Sequence, residues 1–195
     1  MVDRQIAQLL DALTASGLAD RTLVVFTSDH GDMDASHRME HKSTLYEEAC
    51  RIPLIIRPPA GQTAAQIDRQ HLVSNGPDLI PTLCDWAGIP APASVSGRSL
   101  RPIVEGRALL PWRESVPIEC AIGRAIVTDR FNYMRYDIGD RKEQLTDLAA
   151  DPFEQRNAIR DPQHRTVLTR LRTDFKNAFK TARTRTDVLL DSGEG

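Results

Sequence analysis

The stretch from Leu23 to Arg57 constrains this chain more than any other. Leu23-Val-Val-Phe26 is an apolar, β-rich run that ends abruptly in Thr27-Ser28-Asp29-His30-Gly31. Such a run reads as a buried strand delivering oxygen and nitrogen ligands at its carboxyl end, where open α/β sheets place their chemistry. A polar loop follows through His37, His41 and Lys42, then a helix-like turn at Tyr46-Glu-Glu48 and a second apolar run from Ile52 to Ile56. The loop is too long and too rich in His, Asp and Lys to be a mere connection.

The flanking segments supply an architecture around it. Ile6, Leu9, Leu10 and Leu13 recur at helical spacing before Gly17, which predicts an amphipathic helix over residues 3–16 in need of a sheet to lie against. The two apolar runs read as interior strands of a parallel or mixed sheet. Pro58-Pro59-Ala60-Gly61 breaks the chain into an exposed loop over 62–69, and His71 to Ser74 is a short strand candidate. Gly76-Pro77-Asp78 opens a helix ending at Gly88, with Pro81 expected in its first turn. A surface connection with one short apolar turn at Leu100 to Val104 follows.

After Trp112 the period changes to two. Val116–Ala121, Ala125–Thr128, Asn132–Tyr136 and Gln144–Asp147 read as four strands of an antiparallel meander, with turns at Gly123-Arg124, Asp129-Arg130 and Gly139-Asp140. Asp161-Pro162 starts a closing helix with a stripe through Val167, Leu171 and Phe175. The resulting expectation is an α/β core over 1–110, an antiparallel β subdomain with closing helix over 111–182, and a polar tail over 183–195.

Composition excludes several classes. The net charge of −2 is spread along the chain, so neither a nucleic-acid footprint nor a basic membrane face is expected. No run approaches the ~18 apolar residues of a spanning helix, and the first residues lack the order of a secretory signal. The chain is therefore expected to be soluble and by default cytoplasmic, or periplasmic or secreted if a signal peptide lies on a segment upstream. Cys50, Cys84 and Cys120 fit no disulfide or metal spacing and read as reduced, mostly buried residues.

Asp29 and His30 place a carboxylate beside an imidazole, a pair suited to a divalent cation. Hard oxygen favours calcium, magnesium or manganese, and one nitrogen shifts the balance toward manganese or zinc. On the residues alone, a turn-capping Asp and a hydrogen-bonded His are the commoner account. Lys42 could bring a cation to an anionic group held by the same metal. Glu47 and Arg51 stand four apart and read as a helical ion pair.

As a set, these residues resemble a known pattern. Thr22 to Met33, His37, Lys42-Ser-Thr-Leu-Tyr-Glu-Glu48 and Arg51-Ile-Pro-Leu-Ile-Ile-Arg57 resemble the carboxyl-terminal half of a sulfatase of the alkaline phosphatase superfamily. So do Asp78-Leu-Ile-Pro-Thr-Leu-Cys-Asp-Trp-Ala-Gly-Ile-Pro90, Gly97-Arg-Ser-Leu100 and Gln144-Leu-Thr-Asp-Leu-Ala-Ala-Asp-Pro-Phe-Glu-Gln-Arg-Asn157. The resemblance implies part of an alkaline-phosphatase-like sheet sandwich. It makes Asp29 and His30 the second pair of metal ligands, as in the Asp-His branch of choline-sulfatase-like and phosphonate-monoester-hydrolase-like members. It makes Lys42 the sulfate-contacting lysine and His37 a loop histidine near the substrate. The chain departs from the family where Ala35-Ser36 replaces a Gly-Asp and His41 replaces the Gly before the lysine.

The resemblance further implies a divalent metal, Ca2+ first with Mn2+ or Mg2+ as alternatives, and a formylglycine nucleophile made from Cys/Ser-x-Pro/Ala-x-Arg. That motif is absent: Cys120-Ala-Ile-Gly-Arg124 has the frame but Ile where Pro or Ala is required. The expectation is a sulfuric ester hydrolase fragment, inactive alone, that acts on a small sulfate ester. A phosphonate monoester or phosphodiester hydrolase is the alternative within the same chemistry. A non-catalytic remnant that oligomerises or pairs through an exposed sheet edge is the alternative outside it.

Overall fold

The computed structural model describes residues 2–59, 66–107 and 111–180, so the expected tail over 183–195 lies outside the described residues. The chain forms two compact units that interleave in sequence: Met1–Ser28 with Pro53–Trp112, and Asp29–Ile52 with Arg113–Gly195. The architecture is mixed α/β with antiparallel sheets and a carboxyl-terminal helix.

In the first unit, α1 (Val2–Ala15) ends before Gly17 as its periodicity requires, yet buries none of its residues, and Leu9 is 71% exposed. Strands β1 (Val24–Thr27) and β2 (Leu54–Arg57) form where the apolar runs predicted them, but they pair antiparallel as a two-stranded sheet. Antiparallel pairing corrects the parallel reading and is compatible with the mixed one, and Phe26 and Ile55 are exposed in this chain. An unbroken apolar run marks residues suited to burial on both faces; it carries no information about the direction of pairing.

The strand expected at His71 to Ser74 is absent, because Asp68 captures that backbone as a turn. Its Oδ1 accepts the N–H groups of Gln70 and His71 at 3.0 and 2.9 Å, and its Oδ2 accepts the His71 ring at 2.7 Å. Helix α3 (Asn75–Ala87) starts one residue before the expected opening at Gly76, and Pro81 sits inside the helix rather than in its first turn. Lacking an N–H, Pro81 cannot bond the Pro77 carbonyl one turn back. Gly97 passes over that carbonyl so closely that a Cβ there would meet its oxygen at 1.9 Å. Buried Asp78 completes the join by accepting N–H bonds from Ser74 at 2.8 Å and Arg98 at 2.9 Å. The apolar turn becomes α4 (Arg101–Val104), whose preceding Leu100 N–H donates to Thr82 Oγ1 at 2.9 Å.

In the second unit, β3 (Val116–Cys120), β4 (Gly123–Val127), β5 (Phe131–Tyr136) and β6 (Glu143–Asp147) form the predicted antiparallel meander in the order β3-β4-β5-β6. The first turn falls at 121–122, two residues earlier than read, because Gly123 already pairs with Cys120. Helix α5 (Arg165–Ala178) follows a 3-10 turn capped by Asp161, whose Oδ1 accepts the Gln163 N–H at 3.0 Å. Alternation along the strands separates two cores. Ile126, Phe131, Tyr133 and Leu145 pack on Leu168, Leu171 and Phe175 of α5. Ala125 and Met134 pack instead with Leu45 from the 29–52 segment.

That segment contains the four-residue helix α2 (Glu47–Cys50) and is tied to the meander by polar groups as well. The Leu45 N–H donates to Tyr136 Oη at 3.2 Å, and Tyr46 Oη donates to Gln144 Oε1 at 3.2 Å. Asn132 Nδ2 donates to the Leu45 carbonyl and to Glu154 Oε1, both at 2.9 Å, while Glu154 Oε2 accepts the Glu47 N–H at 2.6 Å. Asn157 closes the same turn by accepting the Leu145 N–H and donating to the Glu143 carbonyl.

Burial pushes the Glu154 carboxyl up to about 7, against the pull of those hydrogen bonds, and the Glu47 and Glu48 charges add to the rise. The folded chain keeps this proton between about pH 4.5 and 7, where the unfolded chain has lost it. Stability therefore falls as pH rises through that window and levels off above it, by on the order of 2–3 kcal/mol. Urea midpoints at pH 5 and 7.5 measure this, and Glu154→Gln should flatten the slope. Backbone strain gives a second expectation: Asp34, Ala35, His37, Arg38 and His41 all take left-handed φ values between 43 and 68°. Exposed His41 stands at φ 67° where the resembled family has Gly. His41→Gly should raise the urea midpoint by about 0.5–1 kcal/mol of stability, and a lowered midpoint would count against stored strain.

Candidate metal and anion site

The site begins two residues after β1. Asn75 Nδ2 fixes the end of that strand by donating to the Ser28 carbonyl at 2.8 Å. Gly31 then donates its N–H to the Ala49 carbonyl at 2.8 Å and lies so close to Glu48 that a Cβ would meet the Glu48 carbonyl oxygen at 1.9 Å. Only glycine lets the chain turn against α2 there. Met33, fully buried, anchors the far side and accepts Thr44 Oγ1 at 3.1 Å on its sulfur.

This turn brings Asp29, His30 and Lys42 together. His30 donates from Nδ1 to the Gly31 carbonyl at 2.7 Å, which leaves Nε2 as the acceptor. Lys42 Nζ donates to that Nε2 at 2.7 Å, and Asp29 Oδ2 lies 3.3 Å from the same nitrogen. Two electron-pair donors with an ammonium on one of them make a place for positive charge. The His30 N–H, bonded to Asp29 Oδ1 at 3.0 Å, holds the Asp29 carboxyl below the usual carboxylate range, and the Lys42 charge acts in the same direction. The carboxylate is thus kept ionised, as a metal ligand must be.

His37 lies on the same loop and makes its own contacts. Its left-handed backbone stacks the ring on Tyr46, with centroids 4.0 Å apart and planes 6° apart, and sets Nε2 3.8 Å from Glu48 Oε1. The Glu47–Arg51 pair forms as read, at 3.4 Å. The cysteines are free and half-buried, and burial pushes the Cys50 thiol up to about 12, which keeps it protonated.

Among the described residues, no group of three or more His, Cys, Asp or Glu side chains could hold a metal ion. Asp29 and His30 therefore supply two donors, fewer than the four to eight of a zinc or calcium centre. The residues that hold this loop in place, Asn132 and Glu154, escaped the sequence reading as such. Asn132 interrupts an otherwise apolar strand position, which was the one local signal of a buried polar partner.

Comparison with known proteins gives a single direction. A family model described as N-sulphoglucosamine sulphohydrolase, C-terminal, matches residues 35–181. The chain is 35% identical to a Delta 4,5-hexuronate-2-O-sulfatase of Bacteroides thetaiotaomicron, over 86% of this chain and 37% of that protein. It is 32% identical to arylsulfatase K of Bos taurus, over 80% of this chain and 31% of that protein. Among solved structures, a 2-O GAG sulfatase superposes with a TM-score of 0.82 at 31% identity, over 92% of this chain and 40% of the other. The phosphonate monoester hydrolase of Agrobacterium radiobacter superposes with a TM-score of 0.80 at 28% identity, over 90% of this chain and 38% of the other. The chain thus spans less than two fifths of the length of these curated relatives. It belongs to the sulfatase family, within the alkaline phosphatase superfamily, and corresponds to that family's carboxyl-terminal region.

Proposed function

We propose that this chain contributes the second half of a metal and anion site to a sulfuric ester hydrolase acting on a sulfated sugar. The observation that carries this reading is the convergence of Asp29, His30 and Lys42, with His30 Nε2 3.3 Å from a carboxylate oxygen and 2.7 Å from an ammonium. The sugar comes from the relatives, whose names specify hexuronate 2-O-sulfate and N-acetylglucosamine 6-O-sulfate as what they act on.

The sulfatase family implies a divalent metal, and the donor chemistry fits one in part. Asp29 would give a hard oxygen and His30 a nitrogen, for calcium first and for manganese or magnesium next, with the remaining ligands from outside this chain. A metal held there would neutralise charge growing on the ester oxygens. Within the chain, the Gly31 carbonyl orients the His30 ring by accepting Nδ1–H, so that Nε2 presents its lone pair. Lys42 occupies that lone pair, so it competes with a metal for it. Lys42, once freed from that lone pair, would have its ammonium available for a sulfate oxygen. The nucleophile belongs to the part of the family that this chain does not span, since no Cys/Ser-x-Pro/Ala-x-Arg occurs here. The exposed apolar residues Leu9, Phe26 and Ile55 are the surfaces through which that part would pack.

A phosphonate monoester hydrolase is the second reading, favoured by the superposition on such an enzyme. With the amino-terminal region supplied, faster turnover of a sulfate ester than of a phosphonate monoester supports the first reading and the reverse supports the second. The site itself is tested on the 195-residue chain by Mn2+ titration, followed by paramagnetic broadening of the His30 ring protons. Asp29→Asn and His30→Ala should each weaken Mn2+ binding roughly tenfold or more. Lys42→Ala should tighten it several-fold by removing the competing ammonium; weaker binding in that variant would sink the proposed arrangement.

A further inference from the structure

A cavity of about 420 Å3 opens in the second unit beside the start of α5. Its charged lining is entirely basic: Arg130 from the β4–β5 turn, His164 from the 3-10 turn and Arg170 from α5. Gln163 and Thr166 add neutral hydrogen-bonding groups, and no carboxylate lines the cavity. Beside it, Asp147 has a side chain only 6% exposed and is engaged by Arg130 through Nε at 2.9 Å and Nη2 at 2.6 Å. Asp147 Oδ2 also stands 3.8 Å from His164 Nε2. This buried carboxylate fixes the guanidinium in place and leaves the Nη1 protons of Arg130, which is half exposed, for another acceptor. Arg170 is exposed and forms no ion pair among the described residues.

One wall is apolar. The Phe131 ring stands edge-on to His164, with centroids 5.4 Å apart, and under the Arg130 guanidinium at 5.0 Å. The volume falls in the range of small-molecule sites and exceeds what one inorganic oxyanion fills. Fixed arginine, neutral donors and an aromatic wall together suit a ligand with an oxyanion on a ring-sized body.

We propose that this cavity binds the sulfate group of a sulfated saccharide, with Arg130 and Arg170 on the oxyanion. The lining carries the oxyanion independently of the Asp29–His30–Lys42 reading, and the choice of a sulfated saccharide rests on the proposed function. Free inorganic sulfate offers the same oxyanion, and the test separates the two sources.

The experiment is isothermal titration of the 195-residue chain with a sulfated disaccharide, the same disaccharide without sulfate, and inorganic sulfate. Binding of the sulfated disaccharide that falls about tenfold in Arg170→Glu and less than twofold in Arg165→Glu establishes the site. Arg165 is also exposed on α5 but does not line the cavity, so its variant carries the same charge change without touching the lining. Tighter binding of the sulfated disaccharide than of inorganic sulfate assigns the saccharide as ligand. Equal binding of the two, lost in Arg170→Glu, keeps the oxyanion site and overturns the saccharide. Equal losses in both variants, or equal binding with and without the sulfate group, would overturn the site altogether.

Discussion

A carboxylate shut away from water holds the functional loop. Glu154, 4% exposed and at φ 50°, spends one oxygen on the Glu47 N–H and the other on Asn132, whose amide also holds the Leu45 carbonyl. The N-terminal turn of α2 and the extended residues before it are thereby pinned to β5. Burying a carboxylate without a cationic partner is expensive, and the price appears as its raised proton affinity. Everything from Gly31 to Cys50 is positioned from this bond, because Gly31 in turn bonds to Ala49.

The loop that results combines rigid ends with a strained middle. Met33 and Leu45 are fully buried at either side, while five residues between Asp34 and His41 sit in left-handed conformations without being glycine. Strain of this kind persists only where surroundings over-determine the backbone, and it clusters at ligand-binding sites. Here it lies between the metal-ligating candidates and Lys42. The ammonium reaches back across it to His30, so the charge of the site is balanced from within the loop.

Periodicity made most elements legible in the sequence. The meander, α3 and α5 follow from alternation, helical spacing and the Asp161-Pro162 start, because each signal is local. What escaped was decided by distant or competing partners. The antiparallel pairing of β1 with β2 depends on which strand lies alongside, and the His71 to Ser74 strand lost its backbone to the Asp68 carboxylate. Asp29, His30 and Lys42 were visible as a set only through resemblance, and the structure brings their side chains together. His37 belonged to the same set, and a left-handed turn seats its ring on Tyr46. Asn132 and Glu154 could not be read as anchors, since their partners lie 87 and 107 residues away.

Those separations also set an order of events during synthesis. The meander is a filling between two coverings, α5 on one face and the Leu45 segment on the other, and the segment that carries the site leaves the ribosome first. Glu47 must wait for Glu154, 107 residues later, before its N–H finds an acceptor. Long-range closure of this kind is slow and comes after local structure has formed. The nascent loop therefore stays an open, acidic and histidine-bearing stretch of chain until Glu154 has emerged, and only then acquires its fixed shape.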